Sequence, residues 1–258
     1  MTHPTLRTDS PLHTDLYELT MLQAYYLQGM EETSVFSLFF RKLPSRRNYL
    51  VACGLEPALA YLENLSFSEE ELGYLHSLGM FRDSFLEWLQ SFRFRGDVYA
   101  VPEGTVVFAN EPILEVEAPI GEAQLLETLL LNRIHYSTLA ASKAARVVTA
   151  AGGRNVVDFG FRRMHGLDAG IQAARAFAAA GISATSNVYA GYALGLPVTG
   201  TMAHSYIQAH GEEMQAFRNF ASIYPSTVLL VDTYDTLEGV RRVIRMAEEM
   251  GEDFAIGG

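Results

Sequence analysis

From Gly152-Gly153 onward the chain repeats one pattern: a short apolar run, a polar junction, then a helix-like stretch. Candidate strands are Asn155–Phe159, Ser183–Asn187, Val198–Met202, Thr227–Val231 and Asp253–Ile256. Helical patterns lie between them near Gly166–Ala180, Val188–Leu194, Ser205–Ser222 and Thr236–Met250. Such alternation builds a parallel sheet from βα units. Eight strands would close a (β/α)₈ barrel. Five leave it open, so the chain is expected to be cut short of a full barrel. In folds of this kind ligands bind at the carboxyl ends of the strands, where each strand hands over to its helix.

The preceding residues follow another logic. Asp15 with Glu18 predicts a capped helix running to Gly29, and Val35–Leu43 reads as a strand. Helices are expected from Glu56-Pro57 to about Leu65, after the Ser68/Glu71 capping box, and over Asp83–Phe92. Val98–Val101, Thr105–Phe108 and Ile113–Glu117, separated by Pro- and Gly-containing turns, predict an antiparallel meander. A long Leu- and Ala-rich helix over Glu122–Ala150 closes at Gly152-Gly153. The expected organisation is an α+β domain over 1–120 and an incomplete α/β barrel over 121–258.

Charge narrows the function. Of 258 residues, 19 are basic and 30 acidic, a formal net charge of −11, so the basic face of a general nucleic-acid binder is not expected. Any phosphate site must be a local one, built from a few arginines and backbone N–H groups. Cys53 is the only cysteine, which excludes an intrachain disulfide and fits a reducing compartment. No apolar run reaches the roughly 20 residues of a membrane span, and Met1–Asp15 lacks the apolar segment of a signal peptide. A cytoplasmic protein without a membrane partner is expected.

The βα junctions carry the chemistry. Phe159, Arg162, Arg163 and His165 follow the first strand, and Thr185-Ser186-Asn187 ends the second. His204-Ser205 follows the third, and Asp232-Thr233-Tyr234-Asp235-Thr236 the fourth. Taken singly, each has a plain reading: the arginines as surface charges, His204 as a structural histidine, Phe159 as core. Asp232 and Asp235 read equally as a loop charge and a helix cap, and Thr185–Asn187 as turn and cap chemistry. Their shared edge favours a mouth for an anionic, partly aromatic ligand. No zinc pattern, Walker loop or dinucleotide fingerprint is present.

At these residues the chain resembles the nicotinate phosphoribosyltransferases. The resemblance runs in order through Thr14-Asp15-Leu16-Tyr17 with Thr20-Met21, Ala141–Arg146, Asp158–Arg163, Thr185–Asn187, Gly200–Ser205 and Val231–Thr236. It implies an N-terminal α+β domain followed by an incomplete (β/α) barrel of the type II phosphoribosyltransferase kind. The implied reaction joins nicotinate to phosphoribosyl pyrophosphate, giving nicotinate mononucleotide and pyrophosphate, with ATP hydrolysis coupled and Mg2+ accompanying the pyrophosphate.

The resemblance also assigns roles. Phe159 and Tyr17 would sandwich the pyridine ring, Tyr17 and Asp15 reaching in from the neighbouring subunit of a homodimer. Arg162, with Arg163 a weaker candidate, would hold anionic groups of the substrates. His204 would accept the ATP phosphoryl group, Ser205 would donate to a phosphate or to the nicotinate carboxylate, and Asp232 or Asp235 would stabilise charge on the ribose. Ser186 stands where the related nicotinamide enzymes carry an aspartate, which favours the acid over the amide. The family continues past Gly258 into an acidic Ser-Gly-Asp motif, an arginine near the pyrophosphate and glycine-rich phosphate loops. A truncated sequence is therefore expected. The alternatives are a nicotinamide phosphoribosyltransferase, or a non-catalytic fragment or subunit that binds ligand or partner through the unfinished barrel.

Overall fold

The computed structural model describes residues 9–251, and the candidate strand Asp253–Ile256 lies outside them. The chain divides into two compact units, the first ending at Leu196 and the second starting at Pro197.

The first unit opens with α1 (Leu16–Gln28), stopped by Gly29 in the left-handed conformation at φ 64°. Next come β1 (Thr33–Leu38), β2 (Leu50–Val51), α2 (Leu55–Glu63), α3 (Glu69–Ser77) and α4 (Asp83–Gln90). The Ser68/Glu71 capping box is formed in full, each side chain reaching the other residue's backbone N–H. After β3 (Asp97–Ala100), β4 (Val106–Val107) and β5 (Leu114–Pro119), the expected single long helix is two, α5 (Ile120–Leu125) and α6 (Glu127–Ala151), broken at Leu126. Gly152 ends α6 at φ 58°.

The strands do not form the meander that their spacing predicts. β5 lies between β1 and β3, antiparallel to both, while β4 leaves that sheet and pairs with β2. β5 has the alternation of a half-buried strand, with Leu114, Val116 and Ala118 buried and Glu115 and Glu117 on the other face. The apolar row faces a core of Leu22, Leu75, Phe85, Leu89 and Leu126. Beside it Tyr26, Phe85 and Trp88 meet with ring centroids 5.2–5.9 Å apart. Buried Glu122 of α5 accepts from the Arg95 backbone N–H at 2.8 Å and from its guanidinium at 2.9 and 2.6 Å, which fixes α5 beside β3.

α6 also packs on α2 and β2, and on α7 (Leu167–Ala179). The residues on either side of 120 therefore belong to one compact unit. β6 (Val157–Asp158) and β7 (Ala184–Thr185) pair in parallel, Asp158 opposite Thr185. A 3-10 turn, Phe161–Arg163, links β6 to α7, and α8 (Val188–Leu194) follows β7.

In the second unit α9 (His204–Ala209), α10 (Glu213–Ile223) and α11 (Thr236–Met250) enclose Met202, Ile207, Phe217 and Met246. The expected helix over Ser205–Ser222 is interrupted at Gly211, which sits at φ 73°. The expected strands Val198–Met202 and Thr227–Val231 form no ladder among the described residues, apart from an isolated bridge at Val198. Their apolar residues do reach the core, where Met202 is buried and Leu229, Leu230 and Val231 pack against it. Burial explains the apolar pattern; a ladder additionally needs a neighbouring backbone within about 4.8 Å. Helix and strand are thus mixed in the first unit, the second unit is helical among its described residues, and no closed barrel forms among the described residues.

Candidate active site

The carboxyl edge of the β6–β7 pair is built around Asp158. Its Oδ1 accepts from the Gly160 N–H at 2.7 Å and its Oδ2 from the Thr185 hydroxyl at 3.0 Å. The same Thr185 oxygen accepts the Asn187 N–H at 3.1 Å, and Asn187 Oδ1 caps α8 by accepting the Ala190 N–H at 3.1 Å. The Ser186 N–H donates to the Asp158 carbonyl at 2.8 Å. Asp158, Thr185 and Asn187 are all buried, so the polar chain lies beneath the edge rather than on it.

Above that chain stand the predicted ligand-binding groups. Phe159 is 45% exposed although it directly follows buried Asp158, and Arg162 and Arg163 are exposed on the 3-10 turn. Ser186 is half-buried. The turn is held close to α7 by a glycine: a Cβ on Gly170 would lie 2.4 Å from the Phe161 ring. An aromatic face, two guanidiniums and a hydroxyl thus share one edge, a set suited to a flat acid.

Asp15 and Tyr17 sit elsewhere in the first unit, at the start of α1. The Asp15 side chain does not cap α1 as expected; its carboxylate accepts from the Thr128 hydroxyl at 2.8 Å instead. The Tyr17 hydroxyl donates to Glu127 at 3.2 Å, and Gln124 Nε2 donates to both Glu127 at 2.8 Å and fully buried Glu18 at 2.9 Å. The Glu18 carboxylate, slight burial and the charge on Glu127 push the Tyr17 phenol up to about 12. Tyr17 is therefore a neutral, half-exposed ring with a tethered hydroxyl. Asp15 and Thr128 line a groove of about 440 Å³, together with Asn132, Arg133 and Asp168. No ring pairing joins Tyr17 to Phe159 among the described residues.

His204, Ser205, Asp232 and Asp235 belong to the second unit. His204 opens α9 and is exposed, its Nδ1 lying 3.2 Å from the Thr233 hydroxyl. Ser205 follows it in the first turn, also exposed. Asp235 caps α11, Oδ1 accepting the Glu238 N–H at 2.9 Å, and Asp232 is exposed in the loop before it. Among the described residues no three His, Cys, Asp or Glu side chains gather into a metal-holding group.

Thr185, Thr233, Gln124 and Glu127 escape sequence reasoning as site residues. Thr185 and Thr233 lie inside motifs already singled out, but their partners are 27 and 29 residues away. Glu127 is 110 residues from Tyr17, beyond any local pattern.

Two family descriptions match in succession: the nicotinate phosphoribosyltransferase N-terminal domain over residues 12–135 and the nicotinate phosphoribosyltransferase family over residues 154–255. The chain belongs to the nicotinate phosphoribosyltransferase family. It is 55% identical over 245 residues to nicotinate phosphoribosyltransferase pncB2 of Mycobacterium tuberculosis, a match covering 95% of this chain and 53% of that protein. The crystal structure of human nicotinic acid phosphoribosyltransferase superposes with a TM-score of 0.83 at 29% identity, over 93% of this chain and 59% of that one. Nicotinate-nucleotide pyrophosphorylase from Pyrococcus furiosus, at 23% identity and a TM-score of 0.77, shares the fold over 98% of this chain and 59% of its own. The chain spans about half the length of the curated relatives it matches. Its architecture is that of the type II phosphoribosyltransferases, an α+β part followed by α/β units that remain open among the described residues. No helix of the described residues is long and apolar enough to cross a membrane.

Proposed function

We propose that this chain is a nicotinate phosphoribosyltransferase, or the nicotinate-recognising part of one, acting in NAD salvage in the cytoplasm. The observation that carries the reading is the single edge bearing exposed Phe159 and Arg162 with half-buried Ser186. Phe159 offers a ring face to the pyridine, Arg162 a planar donor fork to an anionic group, with Arg163 beside it, and Ser186 a hydroxyl without negative charge. An acid is accepted there more readily than by a carboxylate, so nicotinate is preferred to nicotinamide.

In the reaction, the pyridine nitrogen forms a bond to ribose C1 as the C1–O bond to pyrophosphate breaks. Positive charge grows on the ribose in between, and Asp232 or Asp235 would stabilise it. Magnesium enters bound to the pyrophosphate of the substrate. His204 is the acceptor for ATP: in the tautomer whose Nδ1–H donates to Thr233, the Nε2 lone pair attacks the γ-phosphorus as its bond to the bridging oxygen breaks and ADP leaves. Ser205, one residue on, is available to a phosphate oxygen. Tyr17 and Asp15 would complete the site of a neighbouring copy, Tyr17 with its phenol neutral and tethered, in a homodimer with shared sites.

The test is calorimetric titration of the purified chain with nicotinate and, separately, nicotinamide. Product analysis and intact mass after incubation with Mg-ATP, phosphoribosyl pyrophosphate and nicotinate accompany it. Nicotinate binding, a phosphorylated His204 and nicotinate mononucleotide are expected. Preference for nicotinamide, or binding of neither, overturns the reading.

A further inference from the structure

The buried polar chain beneath the β6–β7 edge has more bonds than the fold alone requires. Two strands of two residues each are joined by backbone pairing already, with Val157 opposite Ala184 and Asp158 opposite Thr185. To this the sequence adds two side chains that touch each other across the ladder, and each then bonds a backbone N–H of the loop that follows its strand. Asp158 Oδ1 holds Gly160, the residue after Phe159, and Thr185 Oγ holds Asn187, the residue after Ser186. The Asp158–Thr185 bond at 3.0 Å ties the two loops together. The Ser186 N–H is tied in the same direction by the Asp158 carbonyl at 2.8 Å. The residues flanked by these bonds are the two with opposite tasks toward one ring: Phe159 meets its face and Ser186 its substituent.

We infer that Thr185, through Asp158, is a positioning and specificity-determining residue that sets the spacing between Phe159 and Ser186 and thereby the discrimination between nicotinate and nicotinamide. The inference rests on the nicotinate reading given above. The hydroxyl is the part that matters. Thr185 Oγ uses its hydrogen toward Asp158 and a lone pair toward the Asn187 N–H, so it serves both loops at once. Valine has the same shape and can serve neither; serine can serve both. At 2% exposure Thr185 has no water to take over the lost bonds. Gly160 contributes tightness, since a Cβ there would stand 3.0 Å from Asp158 Oδ1 and 2.9 Å from the Met164 methyl. The loop has one close-packed path, and the Asp158 carboxylate selects it.

The experiment measures dissociation constants of the chain for nicotinate and nicotinamide, by calorimetry, for the wild type, Thr185→Val and Thr185→Ser. Thr185→Val is expected to weaken nicotinate by about tenfold and to compress the nicotinate-to-nicotinamide ratio, with Thr185→Ser restoring both to within about twofold. A threonine with a structural role alone would change the melting temperature and leave that ratio where it was. An unchanged ratio in folded Thr185→Val overturns the inference. Failure of the wild type to bind nicotinate overturns the proposed function instead. If Thr185→Val does not fold, Thr185→Ala carries the test. It removes the hydroxyl that serves both loops without adding bulk, so the ratio is expected to fall, and an unchanged ratio there refutes the inference equally.

Discussion

The Arg175 guanidinium on α7 holds the Glu103 carboxylate with two nitrogens, at 2.9 and 2.7 Å, and also reaches Glu56 on α2. The other half of the clasp is backbone, for Glu103 Oε1 accepts the Gly54 N–H at 2.6 Å. Gly54 itself sits at φ 104° with the Arg133 carbonyl 2.7 Å from where a Cβ would be, so the chain passes there only as glycine. Cys53 lies against the same clasp. Burial pushes its thiol up to about 11, which leaves it an unreactive packing residue near neutral pH.

Removing one side of this clasp should leave the other stranded. Both side chains are about one-fifth exposed. Glu103→Ala is expected to cost about 2–3 kcal/mol, less than the 3–5 of a fully buried pair because solvent screens part of the charge. Arg175→Lys should recover little, an ammonium having no planar fork. Urea unfolding of the three proteins measures it.

The same clasp should show in the acid limb of stability. Burial raises the Glu103 pKa, but the hydrogen bonds from Arg175 and Gly54, with the Arg175 charge, outweigh it and hold the carboxyl below the usual 4.5. A depressed folded-state pKa contributes stability that is full above the unfolded value and is lost as pH falls through the folded one. Wild type should therefore lose stability on acidification below about pH 4.5 more steeply than Glu103→Gln, in thermal melts from pH 6 to 3.

Glu18 has the opposite sign. Burial raises its pKa, and its Oε1 has no hydrogen-bond partner while Oε2 accepts from Gln124. Stability linked to a raised carboxyl is full below the ordinary glutamate pKa and lost as pH rises through the folded value. Glu18→Gln, which mimics the neutral acid at every pH, should gain about 1 kcal/mol at pH 8 and nothing at pH 4. Melting curves at the two pH values should separate by about 2–4 °C and then coincide.

Gly170→Ala should act at a distance from the residues it touches. The added methyl would collide with the Phe161 ring, at a cost of about 1–3 kcal/mol. The 3-10 turn would then lift from α7 with Arg162 on it. Nicotinate affinity should fall along with stability, whereas Ala169→Gly should spare the affinity.

Thr233→Ala should slow phosphorylation of His204 by ATP. The variant loses the hydroxyl that fixes the Nδ1 side of the ring, so both tautomers and other ring orientations become accessible. A reduction of about tenfold in initial rate, read by intact mass, is the expected outcome. His204→Ala should show no phosphoryl group at that site.

What the sequence made legible was local. The Ser68/Glu71 capping box, the glycine stops at Gly29 and Gly152 and the Asn187 cap each depend on neighbours within four residues, and each appears where its motif lies. Phe159 and Ser186 could be assigned to one edge because parallel βα units put all junctions on the same side. Long-range choices were not legible. Nothing around Val106 says that it pairs with Val51 rather than with β3 or β5, and no glycine or proline marks the break at Leu126. The runs Val198–Met202 and Thr227–Val231 show the limit of apolar pattern: it reports burial, and burial without a backbone neighbour is not a strand.

α6 carries Glu127, the tether of Tyr17, in its first turn, and Arg146, five residues before its end, donates to the Tyr49 carbonyl at 2.6 Å. Twenty-five residues at about 1.5 Å each make a rod close to 38 Å long, gripped by both the N-terminal layer and α7. For recombination between relatives, a crossover at residue 120 would pair α6 from one parent with the β2 and α2 surfaces of another, and such chimeras should fold poorly. A crossover between Leu196 and Pro197 leaves the rod with its own seats, and is where exchanged segments should remain viable.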